Sequence, residues 1–280
     1  MTLLKNSLAA QRFAALAARE DDALPLAEAA LLVAAEEYPE LDIPAYLRRL
    51  EELAGAARHR VEAASGDLER LEALTGFLYG ELGLRGNTED YYDPRNSFLN
   101  DVLDRRLGIP ISLAVVGIEV GRGAGVPLLG VGFPGHFLLR HALQPAVFLD
   151  PYEGGRILAE EDCRELLERL SAGRVMFEPE HLQPVGARSI LARMLNNLRG
   201  IYLQRGDLER AIGAIERVLT LFPQSAALRR DRGVLCARLG WYGQAVEDFE
   251  RYLVEAPEAA DHAAVRAALA DAREKQRSIN

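Results

Sequence analysis

Two stretches near the C-terminus repeat each other at a spacing of 34 residues. Gly206 and Gly240, Ala211 and Ala245, Ile215 and Phe249, and Pro223 and Pro257 all stand at that offset. Tyr202/Cys236, Asp207/Trp241, Leu208/Tyr242, Val218/Tyr252 and Leu219/Leu253 extend the alignment. A fixed period of this length marks a stacked supersecondary unit, because one unit cannot bury its apolar face alone. Each unit reads as two antiparallel helices. Small Gly and Ala permit close approach, large apolar residues fill the space between, and Pro stops the second helix. The repeats cover roughly 190–223 and 226–257, and 258–277 reads as a solvated capping helix.

The Gly, Ala and Pro spacing resembles tetratricopeptide repeats. Two repeats are fewer than the ~3 that usually stand alone, so they are expected to pack against what precedes them. A chain of 280 residues has room for two domains at ~150 residues each. The repeat places them at 1–186 and 187–280.

The first of these reads as helical through residue 107, with 3.6-type apolar spacing near 6–19, 24–37, 44–64 and 67–82. GLRGNTEDYYDPRN (83–96) is polar and turn-rich, hence a loop. Helices are expected again at 97–106 and 112–125. The pattern then changes to short apolar runs between turn residues, at 127–135, 136–141, 146–151 and 155–158, which read as strands. A helix follows over Glu160–Ser171. The class is therefore α+β: a mostly helical domain around a small antiparallel sheet, followed by an all-α repeat region.

Composition narrows the function. Lys and Arg number 33 against 42 Asp and Glu, a formal net charge of −9, which opposes binding to a phosphate backbone. Two distant cysteines, Cys163 and Cys236, make neither a disulfide framework nor a zinc site and suit a reducing cytoplasm. Gln11 and Arg12 break the first apolar stretch, so no signal peptide is expected, and no apolar run reaches the ~18 residues of a membrane span. The glycines at 130, 132 and 135 match a dinucleotide fingerprint only superficially. Pro134 lies inside it, and a strand follows where the phosphate-binding helix should start. No cofactor and no metal is expected.

The chemistry that remains centres on Ser112, His136 and Asp150. Ser112 stands at the start of an apolar helix, where the helix dipole favours an anion. His136 opens one strand and Asp150 ends the next. That order can assemble a nucleophile, a general base and a group that orients the base. Each also has a plain structural reading: Ser as a helix cap, His as a half-buried strand residue, and Asp150-Pro151 as a turn. Tyr91 and Tyr92, in the loop next to that helix, read as a binding surface or as core cover. Asn96 reads as a cap or as a residue lining the same cleft.

DPRNSFLNDVLDRRLGIPISL (93–113), GVGFPGHFLLR (130–140) and FLDPYEGGRIL (148–158) resemble the SirB1 family, a bacterial transglutaminase-like family with a related domain in some eukaryotic F-box proteins. RMLNNLRGIYLQRGD (193–207) and RRDRGVLCARLG (229–240) match the repeat region that usually accompanies it. The resemblance implies a transglutaminase-like or papain-like core. His136 and Asp150 match the family's His and Asp, and Ser112 falls where a nucleophilic Cys is expected. With Ile111 aligned there instead, the position holds no nucleophile. The implied function is protein interaction or regulation by a weakly active or inactive pseudoenzyme, with a protein or peptide partner taken by the cleft and the repeats. The alternative is a Ser-His-Asp amide-bond or acyl hydrolase.

Overall fold

A computed structural model describes residues 7–279. The chain divides into two compact units, Met1–Met194 and Leu195–Asn280, with the division inside one long helix.

The first unit begins with α1 (Leu8–Ala17), α2 (Leu26–Ala34), α3 (Ile43–Val61) and α4 (Asp67–Thr75), the last continuing as a π turn over Gly76–Glu81. The predicted start of the first helix, at residue 6, lies outside the described residues. Next come β1 (Arg85–Gly86), a 3-10 turn (Pro94–Asn96), α5 (Leu99–Arg105) and β2 (Leu107–Gly108), which pairs in parallel with β1.

Helix α6 (Pro110–Ala124) is the axis of this unit. It is buried along nearly its whole length, as expected of a helix that is apolar all round. Its one buried carboxylate, Glu119, is paired with Arg122. α6 packs on α3 and on the sheet. A Cβ at Gly123 would lie 2.6 Å from the Ala54 Cβ, so only glycine lets α6 approach α3 this closely.

The sheet comprises β3 (Leu128–Val131), β4 (Leu138–His141), β5 (Phe148–Asp150), β6 (Arg156–Leu158) and, after α7 (Glu160–Ser171), β7 (Pro184–Val185). The strand order is β6-β5-β4-β3-β7 and every pair is antiparallel. Val131, Phe133, Leu138, Phe148 and Leu158 share a buried cluster with Cys163, Leu166 and Leu167 of α7. Gly132–Gly135 form a turn where a longer strand was expected, and His136 sits in that turn, two residues before β4. β1, β2 and β7 are two-residue strands that no period-2 pattern can announce.

Helix α8 (Ala187–Gln204) runs into the second unit, which continues with α9 (Leu208–Leu221), α10 (Ala226–Arg238), α11 (Tyr242–Glu255) and α12 (His262–Ile279). Ala211 and Ala245 are fully buried, as are Ile215, Cys236 and Phe249. Pro223 and Pro257 follow the ends of α9 and α11. The paired glycines act otherwise than the spacing suggests. Gly206 and Gly240 have φ of +73° and +76°, so they turn the chain after the first helix of each pair and do not bring helices together.

Candidate functional site

The turn after β3 and the end of β5 bring His136 and Asp150 together. His136 Nε2 lies 2.8 Å from Asp150 Oδ2, and the two side chains are 9% and 2% exposed. The other carboxylate oxygen, Oδ1, accepts the backbone N–H of Tyr152 at 2.9 Å and of Glu153 at 3.2 Å. Asp150 is thus fixed from both sides: it begins a turn and holds an imidazole. A neutral His136 in this pairing carries its proton on Nε2 and keeps a lone pair on Nδ1.

Ser112 is engaged elsewhere. Pro110, with no N–H to lose, takes the first helical position of α6, so Ile109 is the N-cap and Ser112 the third helical residue. Its Oγ donates to the Asn96 carbonyl at 2.5 Å and accepts the Ile109 N–H at 3.1 Å. The Ile109 carbonyl lies 3.1 Å from the same oxygen. The side chain is fully buried, and a Cβ on Gly108 would stand 2.7 Å from it. Ser112 and His136 share no hydrogen bond.

Asn96 is the hub of the loop in front of α6. Its Nδ2 donates to the Asp90 carbonyl at 2.7 Å, and its Oδ1 accepts from Asn87 Nδ2 at 3.0 Å. Asn87 Oδ1 in turn accepts the N–H of Glu89 and Asp90. Asp93 pairs with Arg95 and Arg105. Asn96 has no exposed surface, so its visible role is to hold the loop and, through its carbonyl, Ser112.

The loop carries Tyr91 and Tyr92 at the surface, 40% and 56% exposed. Their rings meet edge to face at 5.4 Å; Tyr91 meets Tyr152 at 6.1 Å, and Tyr152 meets His136 at 6.1 Å. A continuous aromatic series therefore runs from the surface to the His–Asp pair. Tyr152 is anchored by its hydroxyl, which donates to the Asn87 carbonyl at 3.0 Å, and it lies flat on Gly86, where a Cβ would be 2.4 Å from the ring.

Three residues of the site have no sequence signal. Tyr152 is one. Tyr79 is the second: its buried hydroxyl has no hydrogen-bond partner among the described residues, and burial together with the charge of Asp150 holds its proton on. Arg193 of α8 is the third, with Nη2 donating to the Phe133 and His136 carbonyls at 2.9 and 2.5 Å. Only a folded sheet brings residue 193 to residue 136. No group of three or more His, Cys, Asp or Glu among the described residues could hold a metal ion. Neither cysteine reaches the site: Cys163 is buried in α7, its thiol pushed up to about 12, and Cys236 is buried in the second unit.

Comparisons with known proteins match both parts of the chain. Residues 44–196 match the transglutaminase-like superfamily, and residues 198–270 match the tetratricopeptide repeat. A UPF0162 protein of Xylella fastidiosa is 40% identical over 260 residues, 91% of this chain and 92% of that protein. The chain belongs to the UPF0162 (SirB-like) family. A UPF0162 protein of Pseudomonas aeruginosa is 35% identical, covering 82% of this chain and 84% of its own length. The mouse F-box only protein 21 is 29% identical over 56% of this chain and only 26% of its own. In this UPF0162 member, then, a transglutaminase-like domain precedes the repeats, and the α+β class holds for the whole.

Proposed function

We propose that this UPF0162 protein is a non-catalytic recognition or regulatory protein of the cytoplasm. In this reading the His136 face takes an extended peptide and the repeats dock a second segment of a protein partner. One observation carries it: the acceptors within hydrogen-bond reach of the Ser112 Oγ proton are backbone carbonyls, of Asn96 at 2.5 Å and Ile109 at 3.1 Å. A serine nucleophile needs a base on that proton, and a carbonyl is not one. The hydroxyl also satisfies the Ile109 N–H, so freeing it would leave that N–H and the Asn96 carbonyl with their long 3.4 Å bond to each other. Ser112 then serves as mortar between the loop and α6. The His–Asp pair, the tyrosine series and the partly exposed rings remain as a surface with both aromatic and polar character, as peptide recognition requires.

The His136–Asp150 pair also supports the hydrolase reading, and one reagent separates the two. A fluorophosphonate that labels active serines should leave Ser112 unmodified in the intact chain. Labelling of Ser112 that disappears in His136→Ala would replace this proposal with a Ser-His-Asp hydrolase. Ser112→Ala should in addition lower stability by about 1–3 kcal/mol, the cost of leaving buried backbone partners poorly met, read by urea unfolding.

A further inference from the structure

Arg193 carries a charge that nothing in its own unit answers. One guanidinium nitrogen, Nη2, is spent on the carbonyls of Phe133 and His136. The group lies beside the Phe137 ring, 5.7 Å from its centroid, and a Cβ at Gly132 would come within 3.7 Å of Nη1. No carboxylate pairs with it among the described residues. The titratable group that acts on its charge is the Tyr91 phenol, which is neutral at physiological pH. Burial lowers the pKa of Arg193, the direction expected when a cation is desolvated without a counter-charge. This is an unusual position in a chain of net charge −9, where acids are plentiful and buried charges are normally paired. The guanidinium's place at the backbone of His136 and near Tyr91 puts it at the inner end of the tyrosine series.

We infer that Arg193 is an anion-binding residue of the His136 face, and that its ligand is a polypeptide carboxylate. The inference rests on reading that face as a peptide-binding surface. A guanidinium with Nη1 and Nε still unspent presents a planar fork that fits a planar, singly charged carboxylate. A dianionic phosphate would meet only one cation here. The residues next to the carboxylate would lie on Tyr91 and Tyr92, whose rings are 40% and 56% exposed.

The test uses the full chain, isotope-labelled, and three blocked peptides. Acetyl-Ala-Phe-Ala-Ala ends in a free carboxylate, its C-terminal amide has no charge, and acetyl-Ala-Phe-Glu-Ala amide carries the charge on a side chain. Binding is read from the Arg193 Nε–H resonance and the backbone amides of residues 91–92 and 132–137. At least one charged peptide should bind about tenfold more tightly than the uncharged one, the usual effect of a charge-assisted hydrogen bond. Whichever it is identifies a chain terminus or an acidic side chain as the source. In Arg193→Gln, whose amide can still donate to the two carbonyls, that preference should vanish. Peptides that bind the His136 face equally well with and without charge would overturn the inference and leave the peptide-binding reading standing. Peptides that shift none of these resonances would overturn both. Inorganic phosphate that shifts the Arg193 resonance at lower concentration than the charged peptides would overturn the carboxylate assignment. Should Arg193→Gln fail to fold, the three peptides on the unaltered chain decide alone.

Discussion

His141 closes β4 and turns its ring back on the chain that follows. Nδ1 accepts the backbone N–H of Leu143 at 3.2 Å and of Gln144 at 3.0 Å, so the ring proton belongs on Nε2. Protonating Nδ1 would break both bonds. Burial lowers the pKa of this histidine, only partly offset by the charge of Asp67. The folded chain therefore takes up this proton at lower pH than the unfolded chain, whose histidine titrates near ~6.5. Between those values the unfolded state holds more protons, so the contribution of His141 is full above ~6.5 and is lost as pH falls below it. The melting temperature should drop from pH 7 to pH 5, and the drop should be smaller in His141→Gln, whose amide oxygen can accept the same N–H groups without titrating. Equal drops in both chains would clear His141 of the effect. At this scale the sequence is an uneven guide. His136, Asp150, Tyr91 and Tyr92 are legible because each sits beside a turn or strand end that its neighbours announce. The role of Ser112 is not, because capping depends on where the helix starts. Pro110 starts it two residues earlier than the apolar run suggests, which makes Ser112 an interior first-turn residue. Asn96 reads as a cap or as a residue lining the cleft, and loop closure buries it completely.

Among the elements of the second unit, a charged residue does what apolar packing alone does elsewhere. Arg232 of α10 binds Asp248 of α11 through two hydrogen bonds, 2.8 and 2.6 Å, and approaches Glu216 of α9 at 3.4 Å. Asp248 is 1% exposed and Arg232 is 12% exposed on their side chains. One guanidinium thereby ties three helices together, across the boundary between the two 34-residue units. Removing one partner of a buried pair costs about 3–5 kcal/mol when the other charge is left alone, an upper bound here because Glu216 stays 3.4 Å from Arg232, whereas replacing both partners with apolar groups is often close to neutral. Asp248→Ala should lower unfolding free energy by up to that amount in urea, and Arg232→Met with Asp248→Leu should recover most of the loss. A single variant as stable as the parent would show that the pair holds nothing. The period itself was readable from Ala211, Ala245, Pro223 and Pro257, which recur because helix contacts and helix ends recur. Arg232 and Asp248 were not, since the first repeat has Leu198 and Ala214 at those offsets and a pair that occurs once leaves no periodic trace. The small strands escaped for a similar reason: two residues, one of them Pro184, carry no alternation.

Across the whole molecule, each compact unit holds one cysteine, Cys163 in the first and Cys236 in the second, and both are fully buried. Their distance from the site was legible in the sequence, and their burial follows from the helix faces they occupy. The consequence is a pair of built-in clocks. A thiol reagent can react with a sealed cysteine only while the surrounding core is open, so each alkylation rate times the opening of its own unit. With excess maleimide at neutral pH, the native chain should show almost no modification on the timescale in which a denatured sample reacts completely. As urea rises below the unfolding midpoint, mass spectrometry of the two cysteine peptides should yield two separate curves. Asp248→Ala should quicken Cys236 far more than Cys163. Curves that rise together in both chains would mean that the units open as one cooperative body, so the two thiols measure how far the stability of the repeats is their own.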